Sequence, residues 1–231
     1  TMAKKKDNTE DRIVAVEEAL SKTEQFIERN QRIITYVIGA LIVVTLLVFG
    51  YRKFVTLPKE KAAQKAMYMP ELYFEQDSLQ LALNGAGESM GFLGVIDDYG
   101  STSSGNLARY YAGICYLNLG DYEEAISHLK KFSGDDLIVP GMALGAIGDA
   151  YAQLGDMDEA VAYYLKAANE NQNDFTSPTF LLKAGWAYET LKDYGRALEM
   201  FEKIKTEFPK SREARDIDKY IARAKANLGE L

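Results

Sequence analysis

One cysteine, one histidine and one tryptophan are all that the 231 residues contain of these types, and the scarcity removes whole classes of chemistry. Cys115 alone cannot build an intramolecular disulfide framework, and a lone cysteine in an apolar helical pattern reads as core packing. His128 has no second histidine and no cysteine close to it in sequence to join in a metal site or a nucleophile–base pair, and HExxH and phosphate-cradling glycine loops do not occur. The pairs Asp97-Asp98 and Asp135-Asp136 stand without a histidine or third carboxylate beside them. The expectation is a non-enzymatic protein with no catalytic, metal-binding or cofactor-binding residues and no small-molecule substrate.

Basic residues are also scarce in one region. Between residues 70 and 165 only Arg109, Lys130 and Lys131 offset fifteen Asp and Glu, a local charge of −12 in a chain of formal net charge −7. Such a field repels nucleic acid and favours a basic protein surface, and it also keeps a helical surface solvated.

Charge is missing altogether from Ile33 to Tyr51, a run closed by Arg32 on one side and Arg52-Lys53 on the other. At about 1.5 Å per residue, these positions cover roughly 28 Å of helix, close to the ~30 Å hydrocarbon thickness of a bilayer. Core helices of soluble folds rarely need so long an uncharged run, and the preceding 32 residues are too long and too mixed in charge for a signal n-region. The reading is one transmembrane helix over 33–51. Its orientation is not set by charge. The head supplies Lys4, Lys5, Lys6, Arg12, Lys22, Arg29 and Arg32, and the other flank Arg52, Lys53, Lys59, Lys61 and Lys65.

Within the head (1–32), Ile13, Val16, Leu20 and Ile27 recur at helical spacing, with Glu17, Glu18, Lys22, Glu24 and Glu28 between them. This narrow stripe predicts a helix over Asp11 to Asn30. It is too short for an autonomous coiled coil and its polar face is acid-rich, so a partner helix is the preferred use. Lying on the membrane surface or continuing the membrane helix are the alternatives.

The rest of the chain repeats itself. Tyr110–Phe132, Leu144–Ala168 and Leu181–Ile204 align through Gly113, Gly148 and Gly185, spaced by 35 and 37 residues. Each glycine is followed by a tyrosine (Tyr116, Tyr151, Tyr188), a turn (Gly120-Asp121, Gly155-Asp156, Lys192-Asp193), an alanine (Ala125, Ala160, Ala197) and a large apolar residue (Leu129, Tyr164, Phe201). Glycine and alanine fit where two antiparallel helices come closest, aromatics fill the wider gaps, and Gly-Asp ends one helix and caps the next. This pattern resembles the tetratricopeptide repeat over Asn106 to Pro209, departing at Arg109 and at Lys192, where the family places an aromatic and a glycine. Ser211 to Leu228 reads as a capping helix with Ser211 at its N-cap and Ile217, Tyr220, Ile221 and Ala224 facing inward. Lys59–Asn84 and Met90–Tyr99 read as a degenerate hairpin, with Pro70 ending one helix at Met69 and starting another.

The predicted fold is all-α: head 1–32, transmembrane helix 33–51, linker and degenerate hairpin 52–105, three repeats over 106–209 and a cap over 210–231. The repeat register predicts a partner-binding groove of Tyr110, Ile114, Leu117, Met142, Asp149, Leu182, Trp186 and Glu189, with Gly145 among them. It carries none of the Lys, Arg and Asn that groove-binding family members use to hold a C-terminal carboxylate, and so suits an apolar or basic segment. A groove filled by the linker or the cap helix is the alternative.

Head, single span and repeat body in this order resemble the YfgM-type ancillary subunit of the SecYEG translocon. That resemblance implies a bacterial inner-membrane adaptor with the head cytoplasmic and the repeats periplasmic, whose partners are translocation channel subunits and either translocating polypeptides or periplasmic chaperones. The other reading is a structural scaffold that organises a cell-envelope complex through its head helix and repeats.

Overall fold

The computed structural model describes residues 8–230, with side chains placed from Phe26 onward. The predicted head face at Ile13, Val16 and Leu20 therefore lies outside the described side chains. The chain divides into two units, residues 1–58 and 59–231.

The first unit is dominated by α1 (Asn8–Tyr51), helical over 44 residues, so the expected head helix and the uncharged run share a single continuous helix. Uninterrupted helix is the economical backbone state here, because every N–H and C=O is satisfied within the segment. Thr45 follows the same rule, its hydroxyl donating to Leu41 O at 2.8 Å. Among the described residues, one helical stretch, Phe26–Glu75, is long and apolar enough to cross a membrane, and none of its apolar window is buried. A π-helical turn, Arg52–Thr56, precedes α2 (Leu57–Glu75).

Among the described residues, the regular structure of the second unit is helical apart from two two-residue strands. Pro70 does not divide α2: it sits buried within the helix, which runs on to Glu75. Proline removes one helical hydrogen bond and crowds the preceding turn, but Tyr73 and Phe74 beyond it pack on the core of Phe92, Val95 and Ala112, and that packing holds the helix through it. After α3 (Leu79–Asn84), β1 (Gly85–Ala86) and β2 (Ser89–Met90) form a tight antiparallel hairpin, followed by α4 (Phe92–Tyr99). Gly85 has φ +82°, and a Cβ there would stand 2.1 Å from Ser89 O, so only glycine fits. Glu60 ties α2 to the helix that opens at Ser103: its carboxylate accepts from Ser103 N at 2.7 Å and Ser104 Oγ at 2.6 Å, at an N-terminus where the helix dipole favours an anion.

Three antiparallel pairs follow: α5 (Ser103–Leu119) with α6 (Tyr122–Lys130), α7 (Val139–Gln153) with α8 (Met157–Asn169), and α9 (Ser177–Thr190) with α10 (Tyr194–Glu207). Within each pair the expected close approach is present. A Cβ on Gly113, Gly148 or Gly185 would lie 2.5 Å from Leu129 Cγ, 2.7 Å from Tyr164 Cδ1 or 2.3 Å from Phe201 Cε1 respectively. The turns end in left-handed residues: Gly120 at φ +88°, Gly155 at +83°, and Lys192 at +61° where the glycine is missing. Asp156 and Asp193 cap α8 and α10 by accepting from Glu159 N and Arg196 N, while Asp121 makes no such bond. Arg109, off the family pattern, donates to Gly100 O at 2.9 Å and closes the α4–α5 connection.

The cap begins later than expected. Ser211 Oγ accepts from Ala214 N at 3.1 Å and opens a 3-10 turn, Glu213–Asp216; the α-helix α11 spans Ile217–Leu228. Ile217, Ile221 and Ala224 are buried, and Tyr220 packs beside them.

Candidate functional site

The residues expected in the groove do not form one continuous surface. Tyr110, Ile114 and Leu117 of α5 are half-buried against Ile126, Leu129 and Ile147, in the seam between the first and second repeats. Tyr110 meets the Phe132 ring at 5.5 Å and the Tyr111 ring at 5.7 Å, and burial pushes its hydroxyl above the ordinary tyrosine value. Leu182 packs on the core of the third repeat, and Met142 is exposed. Gly145 is a correction: a Cβ there would stand 1.9 Å from Phe180 Cε1, so it serves close packing of α7 on α9 and is not available to a partner.

At the C-terminal end the cap helix engages two of the predicted residues. Trp186 meets Tyr220 edge to face at 5.8 Å, and Glu189 pairs with Arg223, which donates from Nε at 2.8 Å and also from Nη2. Trp186 keeps 41% of its surface exposed.

Asp149 is the centre of what remains open. Lys183 Nζ donates to both of its oxygens at 2.7 Å, and Tyr164 Oη donates to Oδ1 at 2.8 Å. Burial first, then the neighbouring carboxylate, raise the Tyr164 hydroxyl far above its ordinary range, so it remains a donor at any physiological pH. Two adjoining depressions of about 320 and 250 Å³ share Asp149, Ala152, Tyr164 and Lys183. The first reaches Leu117 on α5 and the second Trp186 on α9. The arrangement offers a neutralised polar floor with apolar ends.

Lys183 was not anticipated from sequence. Asp149–Lys183 and Glu189–Arg223 both join residues 34 apart and each ties one helix pair to the next part of the array, a pairing that the 35- and 37-residue spacing of the repeats does not point to.

Cys115 is fully buried and its thiol is pushed up to about 12 by burial, which leaves no thiolate at neutral pH. His128 stacks on Tyr116 at 5.3 Å, and its buried Nδ1 has no partner. Burial and then Lys131 hold it below the ordinary imidazole value. Among the described residues no group of three or more His, Cys, Asp and Glu is placed to hold a metal ion.

Tetratricopeptide repeat models match residues 107–134, 143–174 and 180–211. No curated protein sequence matches the chain. Among solved structures, the crystal structure of MamA protein superposes with a TM-score of 0.51 at 18% identity, over 73% of this chain and 83% of that one. A putative kinesin light chain of Podosopora anserina with nearly identical TPR-like repeats gives 0.52 at 15% identity, over 72% and 87%. At such identities the likeness concerns fold alone. The three helix pairs between residues 107 and 211, each closed by a glycine against a large side chain, are tetratricopeptide repeats, a fold typical of protein–protein interaction scaffolds.

Proposed function

We propose that this protein is a membrane-anchored, non-enzymatic adaptor of a bacterial protein translocation channel, its head cytoplasmic and its repeats periplasmic, holding translocating polypeptides or periplasmic folding factors. The observation that carries the reading is the union in one chain of a repeat array with an unburied apolar helix. Ile33, Leu41, Leu46 and Leu47 are each more than 60% exposed in a run without charge. Water does not tolerate so long an apolar surface, whereas a bilayer requires one. The partner face in this reading is the pair of depressions around Asp149, where Leu117 and Trp186 supply apolar anchors for an apolar or basic segment. Tethering raises the local concentration of that face beside a channel, so weak contacts suffice. The head stripe Ile13, Val16, Leu20 and Ile27 would join the membrane partner.

Two measurements on the full chain test this. In a Cys115→Ala background, Asn8→Cys and Lys210→Cys are labelled on intact spheroplasts with a membrane-impermeant maleimide. Labelling at 210 alone is expected, and labelling at 8 alone ends the proposal. Mild-detergent purification should then recover channel subunits, and Leu20→Asp with Ile27→Asp should release them. Recovery of copies of this chain or of a static envelope complex, with no channel subunit, favours the scaffold reading instead.

A further inference from the structure

We propose that the cleft between α6 and α8, separate from the face around Asp149, is a second docking site that takes an acidic segment of a partner polypeptide, its carboxylates pairing with Lys130 and Lys166. The cleft has a volume of about 390 Å³, with Leu129, Ala143 and Ile147 in its lining and the two lysines contributed by opposite helices.

Both ammonium groups are held in place by aromatic rings. Tyr151 and Tyr163 stack at 5.4 Å with 22° between their planes. Lys130 Nζ stands 5.3 and 5.4 Å from the two ring centres and donates to Tyr151 Oη at 2.9 Å, while Lys166 Nζ lies 4.3 Å over Tyr163. Among the described residues neither lysine has a carboxylate partner in an ion pair. Tyr151, having accepted from Lys130, keeps its own proton to give. Its hydroxyl also holds the Lys130 ammonium above the ordinary lysine value, so the charge persists.

The set is thus rich in donors, poor in acceptors and already ordered, which lowers the entropic cost of binding an anion. Charge selects the occupant. Lys130 is one of only three basic residues between 70 and 165, so an acidic chain is repelled over most of that region and attracted here, while the apolar lining takes aliphatic side chains between its carboxylates. Glu170, also in the lining, opposes the occupant and limits its affinity.

The test uses the full chain in detergent micelles and two acetylated, amidated and fluorescently labelled pentapeptides, the acidic ELDLE and the neutral QLNLQ, followed by anisotropy. Wild-type protein should bind ELDLE and not QLNLQ. Lys130→Met with Lys166→Met, which keeps the aliphatic stems, should weaken ELDLE about tenfold. Glu170→Gln should tighten it, which keeps the proposal testable should the double variant fold poorly. Equal binding of both peptides, or no change in either variant, overturns it. So does displacement of ELDLE by equimolar inorganic phosphate, which would mark a small-anion site. A dimer that Lys130→Met with Lys166→Met abolishes, with no ELDLE binding by wild type, would assign the cleft to a second copy and also overturns it.

Discussion

Asp149 and Lys183 sit one repeat apart and share a two-pronged ion pair, both carboxylate oxygens accepting from the same ammonium at 2.7 Å. Each side chain keeps about a third of its surface exposed, 33% and 31%. The pair therefore ties α7 to α9 without the full desolvation cost of a buried ion pair, and it is read best by breaking one side of it. Lys183→Met leaves the carboxylate with only the Tyr164 hydroxyl, at a cost of about 1 kcal/mol after allowance for solvent screening. Adding Asp149→Asn should recover part of that loss in denaturant unfolding of the body. A double variant no more stable than Lys183→Met would show that the ion pair is incidental.

Two glycines in the third repeat should respond in opposite directions. A Cβ on Gly185 would stand 2.3 Å from the Phe201 ring, which is itself fully buried and cannot retreat. Gly185→Ala should cost about 1–3 kcal/mol by overpacking. Gly195 lies near the start of α10 with no neighbour closer than 3.9 Å, so Gly195→Ala should gain up to about 1 kcal/mol of helix propensity. Thermal melts of the two variants moving in the same direction would contradict this account of the repeat.

The same contrast explains which features were legible in the sequence. Gly113, Gly148 and Gly185 announced themselves because a steric demand repeated in three copies leaves a period, and so did the left-handed turns. Features that occur once left no such trace. Pro70 reads locally as a break, and only the core contacts of Tyr73 and Phe74 carry the helix past it. Gly145 follows the period of a surface position, yet the ring it meets, Phe180, belongs to the next repeat, and the period does not say which of the two neighbouring pairs a position on the first helix of a pair faces. Glu189 likewise read as a groove position until α11 brought Arg223 to it. Periodicity defined the pairs, and the seams between pairs depended on single side chains.

Lys192 bears a cost that its counterparts avoid. It holds φ +61° where Gly120 and Gly155 hold +88° and +83°. A side chain in that region costs about 1 kcal/mol, part of which glycine returns by loosening the unfolded chain. Lys192→Gly should therefore stabilise the array by up to about 1 kcal/mol, a rise in melting temperature of a few degrees. Lys192→Val, β-branched at the same φ, should lower it. No difference between the two variants would mean that the turn relaxes freely.

The body should weaken in alkali, and Tyr164 should account for much of the loss. Its ordinary value of 10.0 applies in the unfolded chain, while in the fold burial and the Asp149 carboxylate raise it strongly. The stabilising contribution is fully present below pH 10. It is lost as pH rises further, because the unfolded chain releases a proton that the folded one retains. Cys115 acts with the same sign from its ordinary 9.0 up to about 12. Each such group can cost up to about 1.4 kcal/mol per pH unit above its unfolded value. Tyr164→Phe removes one of them, at the price of the bond to Asp149 near neutrality. Between pH 9 and pH 11 the wild type should lose about 1 kcal/mol more stability than the variant, measured as the shift in urea midpoint. Parallel losses in the two proteins would place the alkaline sensitivity elsewhere, with Tyr110, Tyr111 and Tyr116, whose hydroxyls burial also raises, as the next groups to replace.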